Sequence, residues 1–181
     1  MQRLFLFTIC LFYSCIGLTD TTYQIDLILF SHPQTDIKSD DSTTNLPFNP
    51  IKANALTLKT DLTSPSSTYQ LLKTTNSDLM KEYYNLNYKS PYQILAHYSW
   101  KQPQNNQKAV ALPTIDHKGW KIDGTVRVRQ SNYYLFDATL QCSPSDNPNS
   151  SFTLSQKQRL KNGVVYYLDH AQVGMLIKVH K

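Results

Sequence analysis

The sequence predicts an α+β fold, with a mostly antiparallel sheet of about six strands and one principal helix packed on it. From residue 91 onward, short stretches of alternating apolar and polar residues are separated by brief turn-forming segments, a pattern typical of antiparallel strands. Before that point, one stretch repeats its apolar side chains at helical spacing. A single helix beside a run of strands favours a helix that lies on one face of an antiparallel sheet.

Residues 1–19 have the layout of a secretory signal peptide. Arg3 precedes an apolar run over residues 4–18, which is shorter than the roughly 18 to 20 residues that a membrane-spanning helix requires. We expect cleavage between Gly17 and Asp20, which would leave residues 20–181 as a single exported domain. The alternatives are an uncleaved leader, through which the protein would contact the membrane, and a lipid attached to Cys15.

The first part of the exported domain is predicted to hold one strand and one long loop. Residues 23–30 begin with alternation and end apolar on both faces, as an interior strand does. Residues 31–67 are dominated by Ser, Thr, Asp, Asn and Pro, and so polar a stretch buries too little surface to order itself. We expect a long polar loop there, tethered by Leu46, Phe48 and Leu56.

The helix is predicted to begin near Ser77, whose hydroxyl suits an N-cap position, and to end at Ser90 before a proline. Its apolar side is formed by Leu79, Tyr83 and Leu86. An upstream extension is expected through Tyr69, Leu71 and Leu72. A helix with one apolar side packs that side against the sheet.

The middle of the chain is predicted to form a strand followed by a hairpin. The strand is bracketed by prolines, and one of its faces holds Tyr92, Ile94, Ala96, Tyr98 and Trp100. Residues 122–129 and 133–140 make the hairpin around a turn at residues 130–132. Its apolar face consists of Ile122, Gly124, Val126 and Val128 beside Tyr134, Phe136, Ala138 and Leu140. On its half-polar face, Arg127 is expected diagonal to Asp137, as a surface ion pair of small energetic value.

The closing stretch predicts three strands in succession, over residues 152–160, 164–168 and 173–179. Asn162 and Gly163 form a dipeptide that favours a tight hairpin turn between the first two. The polar tetrad at residues 169–172 separates the last two and is expected to act first as a turn or linking element.

Composition and motifs argue against several classes of function. The formal charge of +5 is carried mainly by dispersed lysines, whereas a nucleic-acid-binding protein concentrates its charge, so no nucleic-acid partner is expected. The five histidines lack metal-binding spacing, and no nucleophile or phosphate-binding motif is present. We therefore expect no metal, no cofactor and no catalytic residue. Cys142 would be the one cysteine left without the leader, and a buried, idle thiol is its expected state.

Three motifs become informative when they are read together. They are His-Tyr-Ser-Trp-Lys-Gln-Pro at residues 97–103, Asp-Gly-Thr at residues 123–125, and Tyr-Leu-Asp-His at residues 167–170 followed by Gly-Met-Leu-Ile. In combination they resemble the CsiV family of periplasmic peptidoglycan-binding proteins, over residues 23–30 and from about residue 71 to the end. The sequence departs mildly from the family pattern, with Lys101 in place of Arg, Ile122 in place of Leu and Ala171 in place of Pro.

The resemblance implies a non-enzymatic periplasmic factor that binds peptidoglycan and activates a bifunctional, class A penicillin-binding protein, and so supports cell-wall synthesis and cell shape. Binding would use aromatic stacking and hydrogen bonds to amides and carboxylates, with Arg129 as a further donor. The predicted ligand-binding residues are His97, Trp100, Lys101, Gln102, Arg127, Asp169 and His170.

Two alternatives remain open at this stage. One is a small cell-wall hydrolase that uses Asp169 together with His170 or His97, since the two histidines could meet on adjacent strands. The other is a purely structural partner of an envelope protein complex.

Overall fold

The computed structural model of the chain describes residues 22–33, 52, 54–60, 68–146 and 150–181. The expected signal peptide, most of the expected polar loop, and its tethers Leu46 and Phe48 lie outside the described residues. Within the described part of the chain, no helix is long and apolar enough to span a membrane.

Ten strands and one α-helix are present in the described ranges. The strands are β1 (Thr22–Ser31), β2 (Leu56–Thr57), β3 (Gln93–Pro103), β4 (Val110–Ala111), β5 (Ile115–His117), β6 (Trp120–Gln130), β7 (Tyr134–Pro144), β8 (Phe152–Leu160), β9 (Val165–Leu168) and β10 (Val173–His180). Helix α1 spans Met80–Lys89, and a 3-10 turn over Thr74–Asn76 precedes it. Seven of the strands, β1, β3, β6, β7, β8, β9 and β10, lie at predicted positions, and β2, β4 and β5 are additional strands of two or three residues.

The strands form two sheets. The four-stranded sheet has the order β3-β1-β10-β9 and is antiparallel throughout. The six-stranded sheet has the order β2-β4-β6-β7-β8, with β5 also paired to β6, and its one parallel pair is β2 with β4. The predicted fold class is therefore confirmed. The strand pattern of the sequence did not indicate that the strands divide into two sheets.

The main core lies between the two sheets. Every second residue of a strand lies on the same face, so β1 and β10 each direct one set of apolar side chains toward the six-stranded sheet. The residues buried there from the four-stranded sheet include Ile25, Leu27, Leu29, Met175 and Ile177. From the six-stranded sheet they include Ile122, Val126, Val128, Phe136, Ala138 and Leu140, which confirms the predicted apolar face of the hairpin.

Helix α1 covers the outer face of the four-stranded sheet. A second apolar cluster lies beneath it, formed by Ile28, Phe30, Leu79, Ile94 and Leu176, with Tyr83 and Leu86 packed against it. Strand β1 is thus covered on both faces, as its apolar end predicted. The molecule consists of three layers, with the helix on one outer side and the six-stranded sheet on the other.

The helix begins later than the sequence predicts. Tyr69 has a φ of 61°, and Gln70 and Leu71 form isolated bridges to other segments, so the upstream helical extension is wrong. The Ser77 hydroxyl accepts a hydrogen bond from the Leu79 backbone N–H at 3.1 Å. It therefore satisfies a donor just before the helix instead of being the N-cap itself.

An irregularity in β3 changes which of its side chains share a face. The register between β1 and β3 shifts at Leu29 and Phe30, and Leu95 joins the main core while Ile94 joins the cluster beneath the helix. The predicted common face of Ile94 and Trp100 is therefore wrong, because a bulge inverts the alternation of a strand.

The two turns of the closing stretch play different roles. Strand β8 belongs to the six-stranded sheet and β9 to the four-stranded sheet, so the predicted hairpin at Asn162 and Gly163 is instead a corner between sheets. Gly163 has a φ of 72° there, and its N–H donates to the Val179 carbonyl at 2.8 Å. The tetrad at residues 169–172 does join an antiparallel pair, β9 and β10, which confirms its linking role.

Candidate functional site

The outer face of the six-stranded sheet carries a concentration of positive charge. On β6, β7 and β8, alternate side chains enter the core and the remaining ones point away from it. Arg127 and Arg129 point outward from β6, and Lys157 and Arg159 point outward from β8. We call these four residues the cationic face.

The strand register places the four cations in two rows across β6, β7 and β8. The first row consists of Arg127, Asp137 and Lys157, and the second consists of Arg129, Leu135 and Arg159. Neighbouring strands lie about 4.8 Å apart, and residues two apart along a strand are separated by about 7 Å. The backbone positions of the cations therefore mark the corners of a rectangle of roughly 7 by 10 Å.

Negative charge balances this face only in part. The Arg127 Nη2 donates to Asp137 Oδ2 at 2.6 Å, across directly paired strand positions and not along the predicted diagonal. Among the described residues, Asp137 is the one carboxylate in the two rows. The face therefore keeps an excess of three positive charges.

The guanidinium groups also have hydrogen-bonding capacity to spare. The Nε atoms of Arg127 and Arg129 are buried and have no acceptor among the described residues. The guanidinium of Arg159 lies 5.2 Å from the centroid of the Tyr133 ring, a cation–π contact that orients it over the sheet.

A shallow groove of about 350 Å³ runs between these side chains. Its floor includes Leu135, and the cations and Asp137 stand along it. Guanidinium groups present paired N–H donors that match the geometry of a carboxylate or phosphate. The groove can therefore hold an extended polar ligand that carries negative charge.

Of the seven ligand-binding residues predicted from the sequence, Arg127 lies on the cationic face. Trp100 and Gln102 are fully buried, with 0% of either side chain exposed. Trp100 Nε1 donates to Gln102 Oε1 at 3.3 Å, and Gln102 Nε2 donates to the Val128 carbonyl at 2.8 Å and to the Tyr23 hydroxyl. These two residues tie the sheets together, and their burial contradicts a direct ligand contact.

His97 and Lys101 lie elsewhere on β3. His97 Nε2 shares a hydrogen bond of 2.8 Å with the Ser77 hydroxyl, and its ring stacks on Tyr83. Burial lowers the pKa of His97, while the nearby Asp26 carboxylate acts in the opposite direction. Lys101 is half-buried, and its carbonyl accepts a hydrogen bond from the Tyr69 N–H. Neither side chain belongs to the cationic face.

Asp169 and His170 lie in the turn between β9 and β10. Asp169 Oδ1 accepts hydrogen bonds from the Tyr167 hydroxyl at 2.8 Å and from the His170 N–H at 3.0 Å, and it lies 3.0 Å from His32 Nε2. The His170 ring stacks on Phe152 at 4.8 Å, and burial lowers its pKa. These contacts hold the turn in shape.

The expected meeting of His97 and His170 does not occur. Strands β3 and β9 form opposite edges of the four-stranded sheet, with β1 and β10 between them. The idea that the two histidines could meet on adjacent strands is therefore wrong.

Lys157 and Arg159 are the site residues that sequence reasoning missed. They lie in a stretch whose polar residues are numerous, and nothing local shows that β8 pairs with β7. Leu154 and Leu160 occupy even-numbered positions of β8 and are buried, whereas Lys157 and Arg159 occupy odd-numbered positions. This period of two is the signal from which both cations could have been assigned to the outer face.

A second exposed feature lies on the opposite side of the molecule. Tyr84 and Tyr88 on helix α1 are 53% and 72% exposed, and their rings stack at 5.9 Å. Exposed tyrosines are typical of protein contact surfaces, because the ring packs while the hydroxyl stays hydrated.

The described residues contain no group of three or more His, Cys, Asp or Glu side chains that could hold a metal ion. Cys142 is buried, and burial raises the pKa of its thiol to about 12. A thiol in this environment is protonated at neutral pH and has little nucleophilic character.

Comparison with known proteins identifies the family. Neither the comparison with curated proteins nor that with solved structures returns a match. The sequence model for the family described as "Peptidoglycan-binding protein, CsiV" matches residues 3–181, essentially the whole chain. The chain belongs to the CsiV family of peptidoglycan-binding proteins.

Proposed function

We propose that this chain is a non-enzymatic periplasmic factor that binds peptidoglycan through the cationic face and activates a bifunctional, class A penicillin-binding protein. The observation that carries the proposal is the arrangement of four cations around a single carboxylate on an exposed face of the sheet. Membership of a peptidoglycan-binding family supplies the ligand. The cationic face supplies a suitable surface for a polar polymer that carries negative charge.

Export is part of the proposal. Peptidoglycan lies in the cell envelope, so a protein that binds it acts there. Residues 1–19 have the charge and hydropathy of a signal peptide, and residues 20–181 would be the exported domain. Cell fractionation with mass determination of the mature chain tests both points.

The role in wall synthesis is supported by the placement of two different surfaces. The exposed tyrosines of helix α1 lie on the side of the molecule opposite the cationic face. A protein built in this way can hold the wall polymer on one side and a protein on the other. We assign the helix side to the penicillin-binding protein.

Peptidoglycan binding is tested by co-sedimentation of the mature chain with purified sacculi. We expect the Arg129→Gln/Arg159→Gln variant to sediment much less, because two of the uncompensated cations are removed. The matched control is Lys73→Gln/Lys108→Gln, which removes the same charge from two exposed lysines in other segments. Equal sedimentation of both double variants would contradict the assignment of the site, and the absence of any enrichment would overturn the function.

Activation is tested by glycan polymerisation and cross-linking with a purified class A penicillin-binding protein. We expect stimulation by the parent chain and its loss in Tyr84→Ala/Tyr88→Ala, with sedimentation on sacculi unchanged. A chain that binds sacculi and stimulates no such synthase would refute the activating role and leave the binding role intact.

The non-enzymatic character is tested on the same sacculi. We expect no soluble muropeptides to be released during incubation. Release that disappears in Asp169→Ala would instead establish a hydrolase that uses the turn between β9 and β10.

A further inference from the structure

We infer that the cationic face recognises the free carboxylates of the peptidoglycan stem peptides and not the glycan strand. This inference rests on the proposed peptidoglycan-binding function and specifies which part of the polymer is bound.

The charge of the site favours the peptide. The N-acetylated sugars of the glycan backbone are uncharged, whereas each stem peptide carries several carboxylates along a short chain. The cationic face has three positive charges that no carboxylate in its two rows balances. A neutral sugar chain would leave them uncompensated, and a carboxylate-bearing peptide would neutralise them.

The spacing of the site fits an extended peptide. In an extended chain, groups on the same side repeat about every 7 Å, which equals the separation of Arg127 and Arg129 along β6. The distance from β6 to β8 is about 10 Å, so the cations of β6 and those of β8 lie on opposite sides of the groove. A peptide lying along the groove can therefore place a carboxylate between Arg129 and Arg159, whereas Asp137 already lies between Arg127 and Lys157.

The hydrogen-bond donors of the site require acceptors. A buried donor without a partner destabilises a protein, and here the Nε–H groups of two neighbouring arginines are in that condition. A carboxylate accepts from the Nε–H and an Nη–H of one guanidinium at the same time, which here requires the arginine side chain to move so that its buried Nε–H reaches the groove. Amide and hydroxyl groups of a sugar cannot make this bidentate, charge-assisted contact.

The face is also poorly suited to stacking on sugars. The Arg159 guanidinium already lies over the ring of Tyr133, and Phe136, which also lines the groove, is buried in the core. The nonpolar patch beside Tyr133 is provided by Leu135, which is half-buried in the second row between Arg129 and Arg159. A sugar ring would have to displace Arg159 to stack on the face of Tyr133 that the guanidinium covers.

The experiment compares three preparations of the same wall material. They are intact sacculi, glycan strands freed of stem peptides by an amidase, and sacculi whose carboxylates have been converted to amides. We expect binding to fall by about tenfold or more on the second and third preparations, which is the effect of losing one or two charge-assisted hydrogen bonds. Equal binding to all three would overturn the inference while the proposed function stands.

Two variants sharpen the result. Arg129→Gln/Arg159→Gln should bind all three preparations equally weakly, whereas Lys73→Gln/Lys108→Gln should retain the preference. Asp137→Asn removes the one carboxylate of the site and should strengthen binding to intact sacculi severalfold, an effect that a folding defect cannot produce. Weaker binding by a folded Asp137→Asn protein would contradict the inference.

A competition arm separates specific recognition from general attraction to anions. A soluble stem peptide with free carboxylates should displace the protein from sacculi, and the same peptide with amidated carboxylates should not. Displacement by single-stranded DNA at the same charge concentration would show that the face is a nonspecific polyanion surface and would overturn the inference.

Discussion

Replacing Asp26 with alanine should destabilise the protein more than any exposed charge substitution. The Asp26 side chain is fully buried in β1, beneath the segment that leads into helix α1. Its Oδ1 accepts hydrogen bonds from the Ser99 hydroxyl at 2.5 Å and from Gln24 Nε2 at 3.0 Å. Its Oδ2 accepts from the Asp78 backbone N–H at 3.0 Å and lies 3.0 Å from His180 Nε2.

The size of the stability loss in Asp26→Ala depends on which hydrogen-bond donors keep another acceptor. Gln24 Nε2 still donates to the Asn76 carbonyl and to the Ser99 hydroxyl, so Gln24 keeps its acceptors. The Ser99 O–H, however, loses the Asp26 oxygen to which it donates. The Asp78 N–H and the His180 imidazole lose the buried acceptor that they share. Three such losses, one of them at an ionisable group, correspond to about 3–5 kcal/mol.

Urea unfolding followed by tryptophan fluorescence measures this loss, because Trp100 is buried in the core between the sheets. We expect Asp26→Asn to lose less, since one acceptor oxygen remains. The matched control Asp116→Ala removes an exposed carboxylate from β5 and should change stability by about 0.5 kcal/mol or less. A loss below about 1 kcal/mol for Asp26→Ala would refute the reasoning, because the buried cluster would then contribute no more than a surface pair.

Two further outcomes are expected. Gly124→Ala should lower the melting temperature more than Gly119→Ala. A Cβ at Gly124 would overlap the Thr139 carbonyl and lie 2.7 Å from the Leu140 Cα, whereas at Gly119 only the φ of 76° opposes alanine. Equal melting temperatures of the two variants would contradict this prediction. Burial lowers the pKa of His97 below 6.5 in the folded protein, so His97 takes up a proton more readily in the unfolded chain than in the folded one. The stability that neutral His97 contributes above about pH 6.5 is therefore lost as the pH falls toward the folded pKa. Urea midpoints at about pH 7.5 and about pH 5 should therefore differ less in His97→Gln than in the parent chain, and an equal difference in both would count against it.

The hairpin of β6 and β7 shows what alternation alone can predict. One of its faces is buried and the other is largely open, so the period of two directly separates core residues such as Val126 and Phe136 from outward ones such as Arg127. The predicted faces of the hairpin are confirmed for this reason, and the position of Arg127 on the outer face could be predicted from the sequence.

Strand β3 shows why the same reasoning fails in the middle layer. It is covered by the helix on one side and by the six-stranded sheet on the other, although Gln93 at its start is exposed and Tyr98 is only partly buried. Trp100 and Gln102 resemble ligand-binding residues in type, yet both lie inside the protein. Side-chain chemistry does not reveal burial when a strand is enclosed on both sides.

Pairing between segments that are distant in the sequence accounts for the remaining differences between the predicted and the observed structure. Asn162 and Gly163 can form a turn in a hairpin or at a corner between sheets. Which of the two forms depends on the strand with which β9 pairs, and that strand is β10. Lys157 and Arg159 join the cationic face only because β8 pairs with β7 in one register. A shift of one residue would turn both cations toward the core.

Strand β8 has a further consequence for the behaviour of the protein in solution. It ends the order of the six-stranded sheet, so along the described residues one side of its backbone has no neighbouring strand. Open strand edges invite pairing with another molecule, and lysine or arginine on such an edge discourages it by repulsion. We therefore expect Lys157 and Arg159 also to keep copies of the protein apart. A chain that is neutral at both positions should aggregate at concentrations at which the parent chain stays in solution, which light scattering would measure.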